Sequence, residues 1–322
     1  MFYGLFSQVE YVEREITFAV DSDNGETDDA PPSTAAISEK PILEQSAKEL
    51  RASLGFFEHM LGHVGNSRVD ATSEKKIDEI KVALAKMNDA SQKKYTCRLF
   101  ISKSATTELH LTGQILWPVT YAACWHALSI ASTFQGKNVV EIGAGVGLLG
   151  LLVGQLSPKT MIITDGEDEI VELLQRNIEH SQNTESASSN TIGMKLWWGE
   201  EADVIRCVEC IRKRLGDENA MVDVVIGADI LAQALGDPAV PLSCAKTLLE
   251  HGRQTGDDRE TKRFLCAYNV RDDSRKAYVD SVAKKLGFSM NEIDPATFLP
   301  DPLPESLTSV ATTMRMLSFE LP

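Results

Sequence analysis

Basic residues are scarce in this chain. Thirty-two lysines and arginines stand against 47 aspartates and glutamates, a formal net charge of −15, and no basic stripe or cluster offsets that balance. A nucleic-acid-binding surface needs concentrated lysine and arginine to displace counterions from phosphates, so no direct nucleic-acid partner is expected. The acidity reads first as solubility and second as attraction for a basic protein surface. Long hydrophobic runs are missing too. None approaches the roughly 20 apolar residues that a membrane-spanning helix needs, so no membrane partner is expected. The opening MFYGLFSQVEYVERE has neither the basic start nor the continuous apolar stretch of a secretory signal. These absences predict a soluble intracellular protein, cytoplasmic or also nuclear. The six cysteines, Cys97, Cys124, Cys207, Cys210, Cys244 and Cys266, are scattered, as suits a reducing compartment. Cys207 and Cys210 form one C-x-x-C with no second pair and no histidine pair at zinc spacing, inside a stretch of helical periodicity. Its reading is helix packing, and no metal is expected. No internal repeat appears.

What is present is an ordinary globular composition, 43% hydrophobic, in a chain long enough for one large α/β domain and an added segment. Residues 1–20 carry two apolar patches, with ITFAV a short strand. An acidic, proline-closed stretch at about 21–36 buries too little to offset its ordering entropy and reads as a flexible loop. Apolar residues at three- and four-residue spacing predict helices over about 41–64 and 73–91. Residues 1–112 thus read as an N-terminal helical accessory region, whose role is either packing or recognition of a protein substrate. Residues 95–111 look extended. Pro118 suits the first turn of a helix running to about 134.

From there strands and helices alternate. Strands are predicted at 138–142, 160–164, 191–197, from 222, 263–270, 288–293 and 312–319. Helices fall at 147–155, 167–180, 201–215, 238–250 and 274–286. That alternation predicts an α/β fold: a doubly wound, Rossmann-like seven-strand sheet over 113–322. The last two strands have no helix between them, which implies an antiparallel C-terminal hairpin.

The centre of this pattern is NVVEIGAGVGLLGLL at 138–152. A buried strand meets Gly143, Gly145 and Gly147, and a helix starts at once. Such a turn brings backbone close to a ligand. Counted from Gly143, the first glycine after the strand, the dinucleotide fingerprint G-x-G-x-x-G is not met, because its third glycine position is Leu148. Asp165 closes the next strand, where a carboxylate can accept both hydroxyls of a ribose or cap the following helix. Trp197 and Trp198 follow the third strand, as stacking surfaces or as core. Gly227, Ala228 and Asp229 end the fourth strand, at the switch point where doubly wound sheets bind ligands. His126 reads as packing, and Arg271 as either a substrate contact or a surface ion pair.

The combination resembles the class I, seven-strand S-adenosylmethionine-dependent methyltransferases. It is most similar to the eukaryotic protein-lysine methyltransferase group that includes the elongation factor 2 lysine methyltransferase. The likeness covers about 113–322 and rests on the E-x-G-x-G-x-G from Glu141 to Gly147, Trp117–Pro118, Asp165, Trp198–Gly199, VDVVIGAD ending at Asp229, and AYNVR at 267–271. It implies S-adenosyl-L-methionine as cofactor, held by Trp117, Glu141, Gly143, Gly145, Gly147, Asp165, Trp197, Trp198 and Ala228. It implies Asp229 as the catalytic group, and a monomeric enzyme that methylates a lysine of a protein substrate such as a translation factor. Two positions depart from the group. Trp197 stands where an aspartate usually meets the adenine amino group, and Ala232 stands where an aromatic usually lines the lysine channel. Tyr268 and Trp117 are the aromatic substitutes considered for it. A small-molecule acceptor, another protein nitrogen and a non-catalytic cofactor-binding relative remain the alternatives.

Overall fold

The structure, a computed structural model, describes residues 10–21, 92–103, 109–182, 190–232, 235–252 and 262–321. The acidic loop and both accessory helices predicted for the N-terminal region lie outside the described residues. The chain divides into two compact units, Met1–Phe18 with Tyr95–Pro322, and Ala19–Lys94. The first unit therefore takes in residues from Tyr95 onward, upstream of the expected start at Gly113.

β1 (Tyr11–Asp21) and β2 (Gln92–Ser102) pair as a two-stranded sheet. β1 is longer than the short strand read from ITFAV, because Thr17 and Thr96 bond across the pair at 3.0 Å and Arg98 meets Glu15 at 2.6 Å. A 3-10 turn, Leu109–Gln114, replaces the last part of the expected extended stretch. The main sheet is built from β3 (Asn138–Glu141), β4 (Thr160–Asp165), β5 (Thr191–Lys195), β6 (Val224–Ala228), β7 (Arg263–Asn269), β8 (Ser289–Ile293) and β9 (Met314–Glu320). Their order is β5-β4-β3-β6-β7-β9-β8. The first five in that order are parallel, and β9 runs antiparallel to both β7 and β8. This is the doubly wound seven-strand sheet with its antiparallel C-terminal pair.

The interleaved helices are α1 (Pro118–Ser129), α2 (Leu148–Gly154), α3 (Asp168–Gln182), α4 (Glu201–Leu215), α5 (Ala239–Glu250) and α6 (Asp273–Lys285). α1 starts as its sequence dictates: Trp117 is extended and Pro118 takes the first turn. It stops at Ser129, short of the expected 134, and a 3-10 turn completes the segment. β3 and α2 are buried throughout, as a central parallel strand and its crossover helix require. α3 and α4 are amphipathic, and each buries one face against the sheet.

Buried polar groups tie the elements together where apolar packing alone would leave register free. Asn177 on α3 is fully buried; its Oδ1 accepts from Phe100 N at 2.7 Å, and its Nδ2 donates to Phe100 O and Val146 O. One side chain thereby fastens β2, α3 and the glycine turn. At the far edge Arg315, 4% exposed, meets Asp280, Glu292 and the Tyr268 hydroxyl. All six cysteines are free; Cys207 and Cys210 lie on α4, Cys207 in the core. His126 is buried on α1, edge-on to Phe298 at 5.1 Å, and burial pulls its pKa down to about 4. Among the described residues no helix is long and apolar enough to cross a membrane, and no group of three or more His, Cys, Asp or Glu could hold a metal ion.

Candidate functional site

The carboxyl ends of β4, β3, β6 and β7 open into one cavity of about 510 Å³. Adjacent strands β3 and β6 leave the sheet toward opposite faces at this point, so their loops part and backbone groups face the gap. Of the ten site residues predicted from sequence, nine line the cavity: Trp117, Glu141, Gly143, Gly145, Asp165, Trp197, Trp198, Ala228 and Asp229. Gly147 does not. It caps the start of α2 at φ 87°, and a side chain there would strike Leu174, so its role is turn geometry and packing. Tyr268 is also absent from the lining. It is fully buried, with its hydroxyl bonded to Arg315, and so cannot replace the aromatic missing at Ala232. Trp117 does line the cavity, with its indole Nε1 donating to Thr112 O at 3.1 Å.

The glycine turn is shaped by contact as well as by torsion. Gly143 and Gly145 take φ of 65° and 56°. A Cβ on Gly143 would lie 2.6 Å from the Trp198 ring and 2.7 Å from Ile230; one on Gly145 would lie 2.8 Å from Gly113 O. The turn is therefore covered by the 3-10 segment before α1, a contact between residues 32 positions apart that local pattern does not announce. Gly145 N donates to Asp165 Oδ2 at 2.9 Å, and Ala144 N to Thr164 O at 2.9 Å, so the turn is hung on the end of β4. Asp165 Oδ1 also accepts from Glu167 N at 3.3 Å, so this carboxylate both lines the cavity and holds the chain entering α3.

Of the carboxyls lining this space, Asp165, Glu141 and Asp229 have their pKa raised by burial. For Asp165 the N–H groups of Gly145, Glu167 and Gly166 oppose the rise. For Glu141 burial dominates, Gly150 N–H opposes and Asp165 adds to it; its Oε2 is buried with no hydrogen-bond partner. Asp229 is held up by burial and eased back by Asn269 N–H and by Arg271. Asp229 is a non-glycine residue at φ 61°, locked by its own N–H to Ala267 O at 2.7 Å and by Asn269 N donating to its Oδ1 at 3.0 Å. Strain of this kind persists where surrounding bonds over-determine it, and it concentrates at functional sites.

The two tryptophans divide. Trp198 packs into the core against Gly143, whereas Trp197 is 46% exposed with its six-membered ring against Gly166 at the rim. Asp203 is not free to replace the missing adenine-side aspartate: Trp197 N donates to its Oδ2 at 2.8 Å and Arg206 pairs with its Oδ1. Sequence reading missed Thr112, Gly113, Gly166, Ile170, Leu235 and Val240 in the lining. Only the TGQ before Trp117–Pro118 offered a signal for the first two. Arg271 is in the lining too, as one of its two sequence readings allowed.

These groups suit a nucleoside with an amino-acid tail. The turn exposes backbone where no side chain fits, Asp165 stands beside it for hydroxyls, Trp197 offers an exposed aromatic face, and Glu141 places a buried carboxyl below the turn.

Comparison with known proteins agrees with that chemistry. The family model described as lysine methyltransferase matches residues 98–285, more than half of the chain. The protein-lysine N-methyltransferase EFM6 of Saccharomyces cerevisiae is 34% identical over 137 residues, covering 39% of this chain and 49% of that protein. The calmodulin-lysine N-methyltransferase of Arabidopsis thaliana is 29% identical over 85 residues, 26% of this chain and 28% of that one. This chain thus spans half or less of the length of these curated relatives. Among solved structures, a SAM-dependent methyltransferase from Aquifex aeolicus is 11% identical, with a TM-score of 0.40 over 62% of this chain and 89% of its own.

Proposed function

This chain belongs to the lysine methyltransferase family, and on that premise we propose that it transfers a methyl group from S-adenosylmethionine to the side-chain nitrogen of a lysine in a protein substrate. A translation factor is the substrate class we put first, from the likeness to the elongation-factor group. One observation carries the reading: Asp229, a strained carboxylate with Oδ1 committed to Asn269 N–H, lines the same cavity as the glycine turn and Asp165.

When bound, S-adenosylmethionine supplies an electrophilic methyl group on a sulfonium. The residues that would hold it are Gly143 and Gly145 through backbone, Asp165 at the ribose, Trp197 at the base and Glu141 toward the ammonium. What the chain must add is a lysine nitrogen, neutral and aligned. An apolar passage favours the neutral amine, because burial penalises ammonium. Ile115, Leu116, Trp117, Ile230, Leu235 and Val240 supply that apolar lining. Asp229 Oδ2, which has no protein partner among the described residues, would accept an N–H from the amine and direct the nitrogen lone pair away from itself, toward the methyl donor. The charge of Asp229 also favours ammonium, so its role is orientation first. The proton lost from nitrogen passes to water at the cavity mouth or rests on Asp229 Oδ2, whose affinity for it burial has raised.

The test is Asp229→Ala with labelled S-adenosylmethionine and a cell lysate as acceptor. Labelled protein bands with the wild-type chain and their loss in the variant, with cofactor affinity unchanged by calorimetry, would support the proposal. Label in small molecules alone, or undiminished transfer by the variant, would overturn it.

A further inference from the structure

Among the described residues Arg271 is the only basic one in the cavity lining; the other charged lining residues are Glu141, Asp165, Glu167 and Asp229. Its side chain is exposed and makes no hydrogen bond or ion pair among the described residues, yet it lies near enough to Asp229 to favour that carboxylate's charged form. Its backbone, by contrast, is pinned on both sides. Val270 N donates to Thr313 O at 2.8 Å. On the other side Asp272 caps α6, its Oδ1 accepting from Arg275 N at 2.8 Å. Arg275 is 7% exposed and reaches back across the site. Its Nε donates to Leu231 O at 2.8 Å and its Nη2 to Ala232 O at 2.9 Å. The loop bearing Arg271 and the loop bearing Asp229 are therefore stitched into one unit, with the Arg271 guanidinium left unspent at its rim.

A fixed backbone with a free planar fork of donors is suited to carboxylates and phosphates, and of these an unmodified peptide offers the carboxylate. Two carboxylates could come here: one on the protein substrate, or that of the cofactor's amino-acid tail. Sheet geometry favours the first. β7 lies two strands from β3, so at about 4.8 Å per strand Arg271 leaves the sheet about 10 Å from the glycine turn and about 14 Å from the end of β4. It stands instead beside Asp229, at the acceptor end.

We infer that Arg271 is a specificity residue that pairs with an acidic side chain next to the acceptor lysine. The inference rests on the lysine-methylation reading above. It also runs against the protein's overall field, because a chain of net charge −15 should by itself draw in peptides whose lysine has basic neighbours.

The experiment uses the full chain loaded with S-adenosylhomocysteine, and a set of fluorescent peptides each with one central lysine. A single Glu, Ala or Lys is stepped through the three positions on either side, and affinity is read by anisotropy. At one position the wild-type protein should bind the Glu peptide roughly fivefold to tenfold tighter than the Lys peptide. Arg271→Ala should remove that preference, and Arg271→Glu should reverse it at the same position. Arg271 is exposed, so both variants should melt as the wild type does. No acidic preference, or one that Arg271→Glu leaves in place, overturns the inference. So does a tenfold loss of S-adenosylhomocysteine affinity in Arg271→Ala, which would give the guanidinium to the cofactor carboxylate. Methyl transfer to the same peptides is read separately. Transfer without acidic preference sinks this inference alone; acidic preference without transfer to lysine sinks the proposed reaction alone.

Discussion

Replacing Gly145 by alanine should damage this protein far more than the same change at Gly136, although both glycines are left-handed. Gly136 has φ 67° and open space around its missing Cβ; Gly145 has φ 56° and Gly113 O at 2.8 Å from where a Cβ would stand. The torsional cost, about 1–2 kcal/mol, is common to both. Gly145→Ala adds a steric cost of about 1–3 kcal/mol. The obstacle is backbone, not a flexible side-chain tip, and the segment carrying it is anchored by Trp117 Nε1 bonding to Thr112 O. The total of roughly 2–5 kcal/mol must be absorbed by unfolding or by displacing the turn. Displacement would break the 2.9 Å bond from Gly145 N to Asp165 and spoil the cofactor end of the cavity. Differential scanning fluorimetry should show a fall in Tm of a few degrees for Gly136→Ala and on the order of 10 °C for Gly145→Ala. Calorimetry with S-adenosylmethionine should show wild-type affinity for Gly136→Ala and at least about a tenfold loss, 1.4 kcal/mol, for Gly145→Ala. If Gly145→Ala melts with Gly136→Ala and binds cofactor like the wild type, then contact with Gly113 does not shape the turn.

Glu141→Gln should stabilise the cofactor-free protein, more so as pH rises. Burial raises the folded-state pKa of Glu141, so the folded chain holds a proton that the unfolded chain releases. Wild-type stability should therefore decline upward from the ordinary carboxylate range, and the Tm gap to the variant should widen from pH 5 to pH 8; a constant gap would refute this. Arg275→Met leaves the carbonyls of Leu231 and Ala232 without their donor in a buried site and should cost about 3 kcal/mol. A Tm within one degree of wild type would show that the two loops hold without it. His126→Phe should retain methyl transfer with an unchanged pH profile, because the histidine is packed against Phe298 and already neutral above about pH 4. Loss of an inflection near pH 6–7 in the variant would contradict that.

Much of this molecule is written locally. The run NVVE followed by alternating glycines reads as a buried strand meeting a tight turn, and Pro118 after an extended Trp117 suits the first turn of a helix, as the structure has them. Parallel order followed from helices spaced between strands, and the antiparallel ending from the missing helix between β8 and β9. Asp165 and Asp229 were legible because strand ends at a switch point share one crevice, whatever the details of packing. Gly147 lies outside the cavity lining for the complementary reason. Its spacing matches the glycines beside it, but the turn has already left the cavity by that residue and its missing side chain makes room for Leu174.

What the sequence by itself determined is the alternation of elements, the glycine turn and the carboxylates at the strand ends, since each depends on periodicity or on residues a few positions apart. Tertiary structure alone decided that Gly113 covers Gly145, that Trp198 is half-buried against Gly143 while Trp197 lies at the rim, and that Tyr268 turns away to Arg315. It alone set Arg271 beside Asp229 with Arg275 tying their loops. The physical reason is the same in each case: these contacts join segments some tens of residues apart, and strand order and register, which no local pattern encodes, bring them together.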